Sequence, residues 1–192
     1  MNLKTILDNL NFENIIFSSN DELKKIREIR NEANIRKNMI TKKKILLEEH
    51  MAWFKKIKLL KTNSFYMIKY KNNIVGGLGL NTYNKDVLFG EWAYYISDET
   101  KFIGLGASIE YKAIEYFFNF YKLNCLFCYV LKHNSSVLKM HNKFGFEQIL
   151  FDNYFKNNNL KDKVPDAVYL SLKKSKWNLI NKKIYQEYFY KL

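Results

Sequence analysis

"KFIGLGASIE", residues 101–110, is the stretch on which the reading of the whole chain turns. Gly104 and Gly106 stand two apart in a chain that holds only 7 glycines among 192 residues. Upstream, "VLFGEWAYYIS" (87–97) reads as a strand, and downstream the apolar residues fall at helical spacing over 105–121. A glycine turn between a strand and a helix start leaves backbone N–H groups unpaired at the positive end of the helix dipole. Such a turn suits a pyrophosphate, because glycine lets the backbone approach the oxygens without a Cβ in the way. Lys101 adds a charge-assisted contact. The plainer alternative is a loop that simply needs a tight bend. Two familiar nucleotide turns do not fit. The spacing is not G-x-x-x-x-G-K-[ST], and it is not G-x-G-x-x-G after the first strand of a βαβ repeat.

Outward from this turn, the pattern predicts a strand at 14–18 and a helix over 20–31 with Asn20 or Asp21 as its N-cap. A polar stretch, "NEANIRKNM", separates it from a longer helix over about 41–60, with Ile45, Leu46, Trp53, Phe54 and Ile57 inward. Two paired strands, "SFYMIKY" and "NIVGGLGL", turn at 71–73. After the glycine turn and its helix come a fully apolar strand (124–131) and a short helix (134–144) with Asn134 as N-cap. Late strands, "FEQILFDNYF" and "DAVYLSL", and a final helix (175–190) complete the order. Antiparallel strands flanking a strand-helix-strand-helix centre predict an α+β fold, with a mixed sheet and helices on both faces.

Composition narrows the function. The chain is 47% hydrophobic and 17% aromatic, enough for a sizeable core in one domain. Its formal charge of +13 admits a nucleic acid, a membrane surface or a small polyanion. The lysines are scattered, with modest runs at 42–44, 173–174 and 182–183, which favours a small anionic ligand over nucleic acid. No apolar run reaches the roughly 18 residues of a membrane span. The first ten residues carry no secretory pattern, so the expected location is cytoplasmic, with no membrane partner. Cys125 and Cys128 form a CxxC inside a strand pattern rather than at a helix N-terminus, and one pair falls short of four zinc ligands. A structural role is expected for both, and no metal.

Four segments in order resemble the GNAT superfamily of N-acetyltransferases. Lys101-Phe-Ile-Gly104-Leu-Gly106 looks like the family's [QR]-x-x-G-x-[GA], with Lys where Gln or Arg is usual. "NSSVLKMHNKFGF" (134–146) is similar to N-x-x-[AS]-x-x-x-[YH]-x-x-x-G-F, and "EEHMAWF" (48–54) and "DAVYLSLKKSKW" (166–177) extend the likeness to nearly the whole chain. The resemblance implies a sheet splayed between its fourth and fifth strands, with acetyl-CoA as co-substrate in the gap. Ala93, Tyr94 and Ile96 would line its arm. Gly104, Leu105, Gly106 and Ala107 would give amides to the pyrophosphate, and Asn134 would bond the pantetheine. It further implies a domain over 1–175 and a helical extension over 176–192. The extension's stripe of Trp177, Ile180, Ile184 and Tyr188 packs either on the core or on a second copy of the chain, a homodimer.

Acetyl transfer to an amine needs a base for the ammonium, a donor for the oxyanion and an acid for the departing thiolate. Glu91, between Phe89 and Trp92, is the candidate base, and a strand amide near Tyr94 the oxyanion donor. His141 falls seven residues after Asn134, where the family often has Tyr, and is the candidate acid. His50 and Trp53 share a helix face that the resemblance puts beside the acceptor. Arg30, Arg36 and Lys37 could grip an anionic acceptor, since an Arg fork matches phosphate oxygens. Trp53, Tyr83 or Phe155 could stack on a base or sugar. The segment from 29 to 54 looks most like bacterial sugar-nucleotide N-acetyltransferases of the pseudaminic and legionaminic acid pathways. The acceptor expected from that likeness is a nucleotide-linked deoxyamino sugar, with a protein N-terminus or a polyamine as alternatives. A non-enzymatic binder of acyl-CoA or nucleic acid is the reading from another class.

Overall fold

The computed structural model describes residues 2–59, 63–82, 88–150 and 164–190. Tyr83 and Phe155 lie outside the described residues. Seven strands form one sheet: β1 (Leu10–Asn14), β2 (Asn63–Tyr70), β3 (Asn73–Thr82), β4 (Phe89–Ile96), β5 (Cys125–Leu131), β6 (Glu147–Ile149) and β7 (Ala167–Lys173). Their order is β1-β2-β3-β4-β5-β7-β6. Every neighbouring pair is antiparallel except β4 and β5. That parallel pair is short, running only from Phe89↔Cys125 to Glu91↔Phe127. Beyond it β4 stays with β3 as far as Ile96, while β5 stays with β7 as far as Leu131. The sheet is therefore split between its fourth and fifth strands, as expected.

Helices cover both faces. On one lie α5 (Leu105–Asn119), α6 (Ser135–Lys143) and α7 (Lys174–Phe189), packed on a core that includes Leu78, Trp92, Phe117, Leu126 and Phe146. On the other lie α2 (Asn20–Arg30) and α4 (Leu47–Leu59), around Leu23, Ile26, Phe54, Ile57 and Met67. Period-two alternation divides the strands between these cores, so Tyr66 and Ile68 join the first and Met67 the second. The final helix packs on its own chain. Trp177, Ile184 and Phe189 are buried, Trp177 Nε1 donates to Glu115 Oε1 at 2.5 Å, and Tyr111 of α5 meets Trp177 and Phe189.

Several boundaries differ from the sequence reading. Residues 15–17 form a 3-10 turn, and the first strand is Leu10–Asn14. It is preceded by α1 (Leu3–Asp8), which the pattern did not signal. The cap of α2 is Ser19, in a capping box with Glu22, rather than Asn20 or Asp21. Within the polar stretch a short α3 (Ala33–Lys37) forms. Residues 41–46 are not helical, and Leu46 is 60% exposed, so α4 begins at Leu47 and Leu46 does not point inward. The apolar spacing of Ile45 and Leu46 imitates helix periodicity, but the chain there is held by Asn31, whose side chain bonds both the Ile45 amide and carbonyl.

Gly104 caps α5 with φ 93°, a left-handed conformation that costs a side-chain-bearing residue about 1–2 kcal/mol. A Cβ there would also meet Leu3 Cδ2 at 1.9 Å, so α1 seals the back of the turn. Gly104→Ala is therefore expected to lower unfolding stability by about 1–3 kcal/mol in urea titrations. Gly106→Ala, with a Cβ only in ordinary contact, should leave it equal or slightly higher.

Candidate active site

The turn that enters α5 offers a small set of open amides. Leu105 N–H is taken by Phe102 O at 3.2 Å, so it is not free for a ligand as the sequence reading expected. Ser108 N–H opens the helical ladder on Gly104 O at 3.0 Å. The amides of Gly104, Gly106 and Ala107 have no acceptor among the described residues. At Gly106 a Cβ would reach only Ile96 Cδ1 at 3.8 Å and Met140 Cε at 3.9 Å, so no packing demands glycine there. The space it leaves opens where β4 ends, which suits a ligand that runs from the turn into the split. Lys101 is exposed beside it.

The split itself is walled by both strands. Ala93 is exposed and Tyr94 and Ile96 are half-buried on β4, all beyond the last paired residue. Asn134 stands before α6 but makes no side-chain cap, its Oδ1 accepting only from Ser136 Oγ at 3.3 Å. Across the mouth runs α3. Glu32 accepts from Ser97 Oγ and Asp98 N–H, Asn34 donates to Asp98, and Asn38 contacts His133 Nε2 at 3.0 Å. One short helix thus joins the end of β4 to the end of β5.

Alternation puts the two catalytic candidates on opposite faces of the sheet. Trp92 faces α6, with its ring 5.6 Å from that of His141. Glu91, its neighbour in sequence, faces the other way and acts electrostatically on Tyr129 and Tyr169. Burial, then Glu91, pushes the Tyr129 hydroxyl up to about 12. His141 is 4% exposed, and its Nδ1 lies 2.6 Å from Glu110 Oε1. Burial alone would favour the neutral imidazole, but Cys128 and Glu110 against the ring outweigh it and hold His141 well above the usual histidine range. Cys128 is a buried free thiol, as is Cys125, which burial pushes up to about 12.

On the Glu91 face lies a cleft of about 530 Å³, lined among others by Arg30, His50, Trp53, Phe65, Asn81 and Tyr95. Trp53 stands edge-on to Phe65 at 5.0 Å and meets His50 at 5.1 Å. Arg30 gives Nη2 to Thr41 O at 3.4 Å, while its Nη1 is buried with no partner among the described residues. Arg27 gives Nη1 to Ile45 O, and its buried Nε likewise has none. His50 is 4% exposed, and its Nδ1 has no partner among the described residues. Burial, then the charge of Arg27, pushes His50 down to about 4. Arg36 does not join this cleft, since its guanidinium holds Asn31 O at 3.0 Å and Lys42 O at 2.7 Å. Lys37 is exposed and does not line it. The basic cluster was thus read too broadly, because one of its cations ties the loop together and another points to solvent. Sequence reasoning also missed Glu110, whose signal was a carboxylate on the apolar stripe of α5, and the wall residues Phe65, Asn81 and Tyr95, which had none.

A parted parallel strand pair, open amides at the following helix and a cleft on the far face define an acyl-CoA-dependent transferase. The model of the Acetyltransferase (GNAT) domain matches residues 17–147, and the chain belongs to that family. Among solved structures it is similar to N-acetyltransferase PseH of Campylobacter jejuni, also solved with acetyl coenzyme A, at 21% identity and TM-score 0.64 over 86% of this chain and 99% of that one. It is also similar to spermidine N-acetyltransferase of Vibrio cholerae in complex with CoA and spermine, at 16% identity and TM-score 0.75 over 89% and 99%. None of the curated proteins matches the chain. No helix among the described residues is long and apolar enough to cross a membrane.

Two outcomes follow. Gly106→Val should fold with wild-type stability yet weaken acetyl-CoA binding about tenfold or more by calorimetry, a loss of about 1.4 kcal/mol. Because His50 sits below its unfolded value, its neutral form stabilises the fold above about pH 6.5, and that contribution fades as pH falls toward about 4. His50→Gln should flatten the stability slope between those values, as read by denaturation at a series of pH values.

Proposed function

We propose that the chain moves an acetyl group from acetyl-CoA directly to the amino group of a nucleotide-linked deoxyamino sugar. The observation that carries this reading is the buried guanidinium donor Arg30 Nη1, unpartnered among the described residues in a cleft walled by Trp53, Phe65 and Tyr95. A buried donor without an acceptor costs about 1–3 kcal/mol, and a phosphate oxygen would satisfy it. The aromatic wall fits a base or a sugar ring. A polyamine needs carboxylates instead. Among the described residues, Glu49 is the one acidic residue of the cleft's lining, and Lys43 Nζ at 2.6 Å and Leu46 N–H at 2.8 Å already hold it.

The coenzyme would lie with its pyrophosphate on the Gly104, Gly106 and Ala107 amides and Lys101. Its arm would pass along Ala93, Tyr94 and Ile96 with Asn134 opposite. The thioester then sits between Glu91 on the cleft face and His141 on the helix face. Glu91 takes a proton from the ammonium on the side from which the amine attacks. His141 gives a proton to the sulfur on the side toward which it leaves. The ammonium loses two protons in all, and one equivalent ends on CoA–SH. A strand amide near Tyr94 meets the oxyanion, and Arg30, His50 and Trp53 hold the acceptor. Since the final helix packs on its own core, the site needs no second copy of the chain for its walls.

Thiol release from acetyl-CoA should be fastest with a member of a panel of UDP-, GDP-, CMP- and dTDP-linked amino sugars, set beside polyamines and N-terminal peptides. Faster turnover of spermidine would overturn the acceptor assignment. Arg30→Ala should raise KM for the sugar nucleotide about tenfold, the loss of one charged hydrogen bond, with acetyl-CoA binding unchanged. Glu91→Gln and His141→Phe should each lower kcat about a hundredfold or more. Full turnover by both at several pH values would refute the acid–base pair.

A further inference from the structure

Beneath the parted strands lies a buried cluster of which the scheme above uses only His141. Glu110 projects from the middle of α5 at 0% exposure, with its Oε1 2.6 Å from His141 Nδ1. The Tyr94 hydroxyl, from β4, is held well above the usual range by burial and then by the charge of Glu110, whose buried Oε2 has no hydrogen-bond partner among the described residues. Cys128, the first residue of β5 beyond its pairing with β4, acts electrostatically on the His141 ring. Trp92 and Phe146 close the cage, their rings 5.6 Å and 4.9 Å from the imidazole. Among the described residues, the charged and titratable groups that act on His141 are therefore Glu110 from α5 and Cys128 from β5.

A core needing only volume would place an aliphatic residue at 110. A buried ion pair is costly to desolvate, and apolar replacements of similar volume are often neutral or stabilising. Here the carboxylate does something an aliphatic chain cannot. It accepts the Nδ1 hydrogen, which sets the ring's tautomer and leaves Nε2 as the nitrogen it does not engage.

We infer that Glu110 is a positioning residue for acetyl transfer, holding His141 by Nδ1–H so that Nε2–H is presented to the thioester sulfur between β4 and β5. This rests on the reading of His141 as the acid. In the step itself the carbon–sulfur bond breaks and its electron pair goes to sulfur. The Nε2 proton passes to sulfur to give CoA–SH, and His141 is left neutral with Nδ1–H still on Glu110. Solvent returns the proton that the amine released. The Glu110 carboxyl group, 2.6 Å from Nδ1, lowers the cost of the charged ring that must precede the step.

The test is Glu110→Gln, which keeps shape and an acceptor oxygen but removes the charge. Expected are a kcat lower by about tenfold to a hundredfold, a KM for acetyl-CoA within about twofold, and an alkaline limb of the kcat–pH profile at lower pH. The last follows because the acid must be protonated to act, and loss of the carboxylate lets the ring deprotonate sooner. A second readout needs no acceptor. The chain has 3 histidines, so ¹⁵N spectra of histidine-labelled wild-type protein, with His141→Phe as the assignment control, resolve this ring. The doubly protonated His141 pattern should persist above neutral pH, and Glu110→Gln should replace it with a neutral ring at lower pH. A wild-type ring without Nδ1–H, or a Glu110→Gln enzyme with unchanged kcat and pH profile, overturns the inference. If no acceptor is turned over, the function proposed above fails on its own, and the spectrum still decides whether Glu110 sets the state of His141.

Discussion

The structure depends on a parallel strand pair that stops after three residues. From Glu91 and Phe127 onward, β4 and β5 each keep one partner and lose the other. Backbone groups facing the resulting gap must find water or a ligand. An opened sheet interior would ordinarily invite closure or aggregation. Here the neighbouring elements keep it open: α3 spans its mouth, α5 and α6 close its helix face, and the turn at Gly104 ends where β4 leaves off.

That geometry gives the parted strands different chemistry on their two sides. Side-chain alternation along β4 sends Glu91 to the cleft and Trp92, with His141, to the helix face. The Glu110 carboxylate ties α5 to the His141 ring of α6 within the helix layer. The split and the turn at Gly104 both border β4, whose Ile96 lies beside Gly106.

The net charge of +13 says less about the ligand than the placement of two guanidinium groups does. Most cations are on the surface, and Lys69 is held in an internal pair with Glu13 and Glu22, each at 2.7 Å. Arg36 holds its own loop. Arg27 and Arg30 differ because each has a buried donor with no partner among the described residues, and Arg30 lines the aromatic-walled cleft. Exposed cations are screened by water and salt, whereas a buried donor demands an acceptor.

Local sequence determined the turn at 104–106, the helix after it, the hairpin at 71–73, the α+β class and the family. Each rests on short-range rules: a glycine that tolerates positive φ, an apolar period, an ordered run of motifs. The N-terminal α1 carried too weak a local signal. Residues 41–46 imitated helix periodicity until Asn31 engaged Ile45, a contact made from 14 positions away. Tertiary structure alone decided that Arg30 meets His50 and Trp53 while Arg36 and Lys37 do not. It alone brought Glu110 to His141 across 31 positions. Spacing along a chain specifies which face of its own element a side chain takes. Which other element meets that face is set by packing, and the site is made of such meetings.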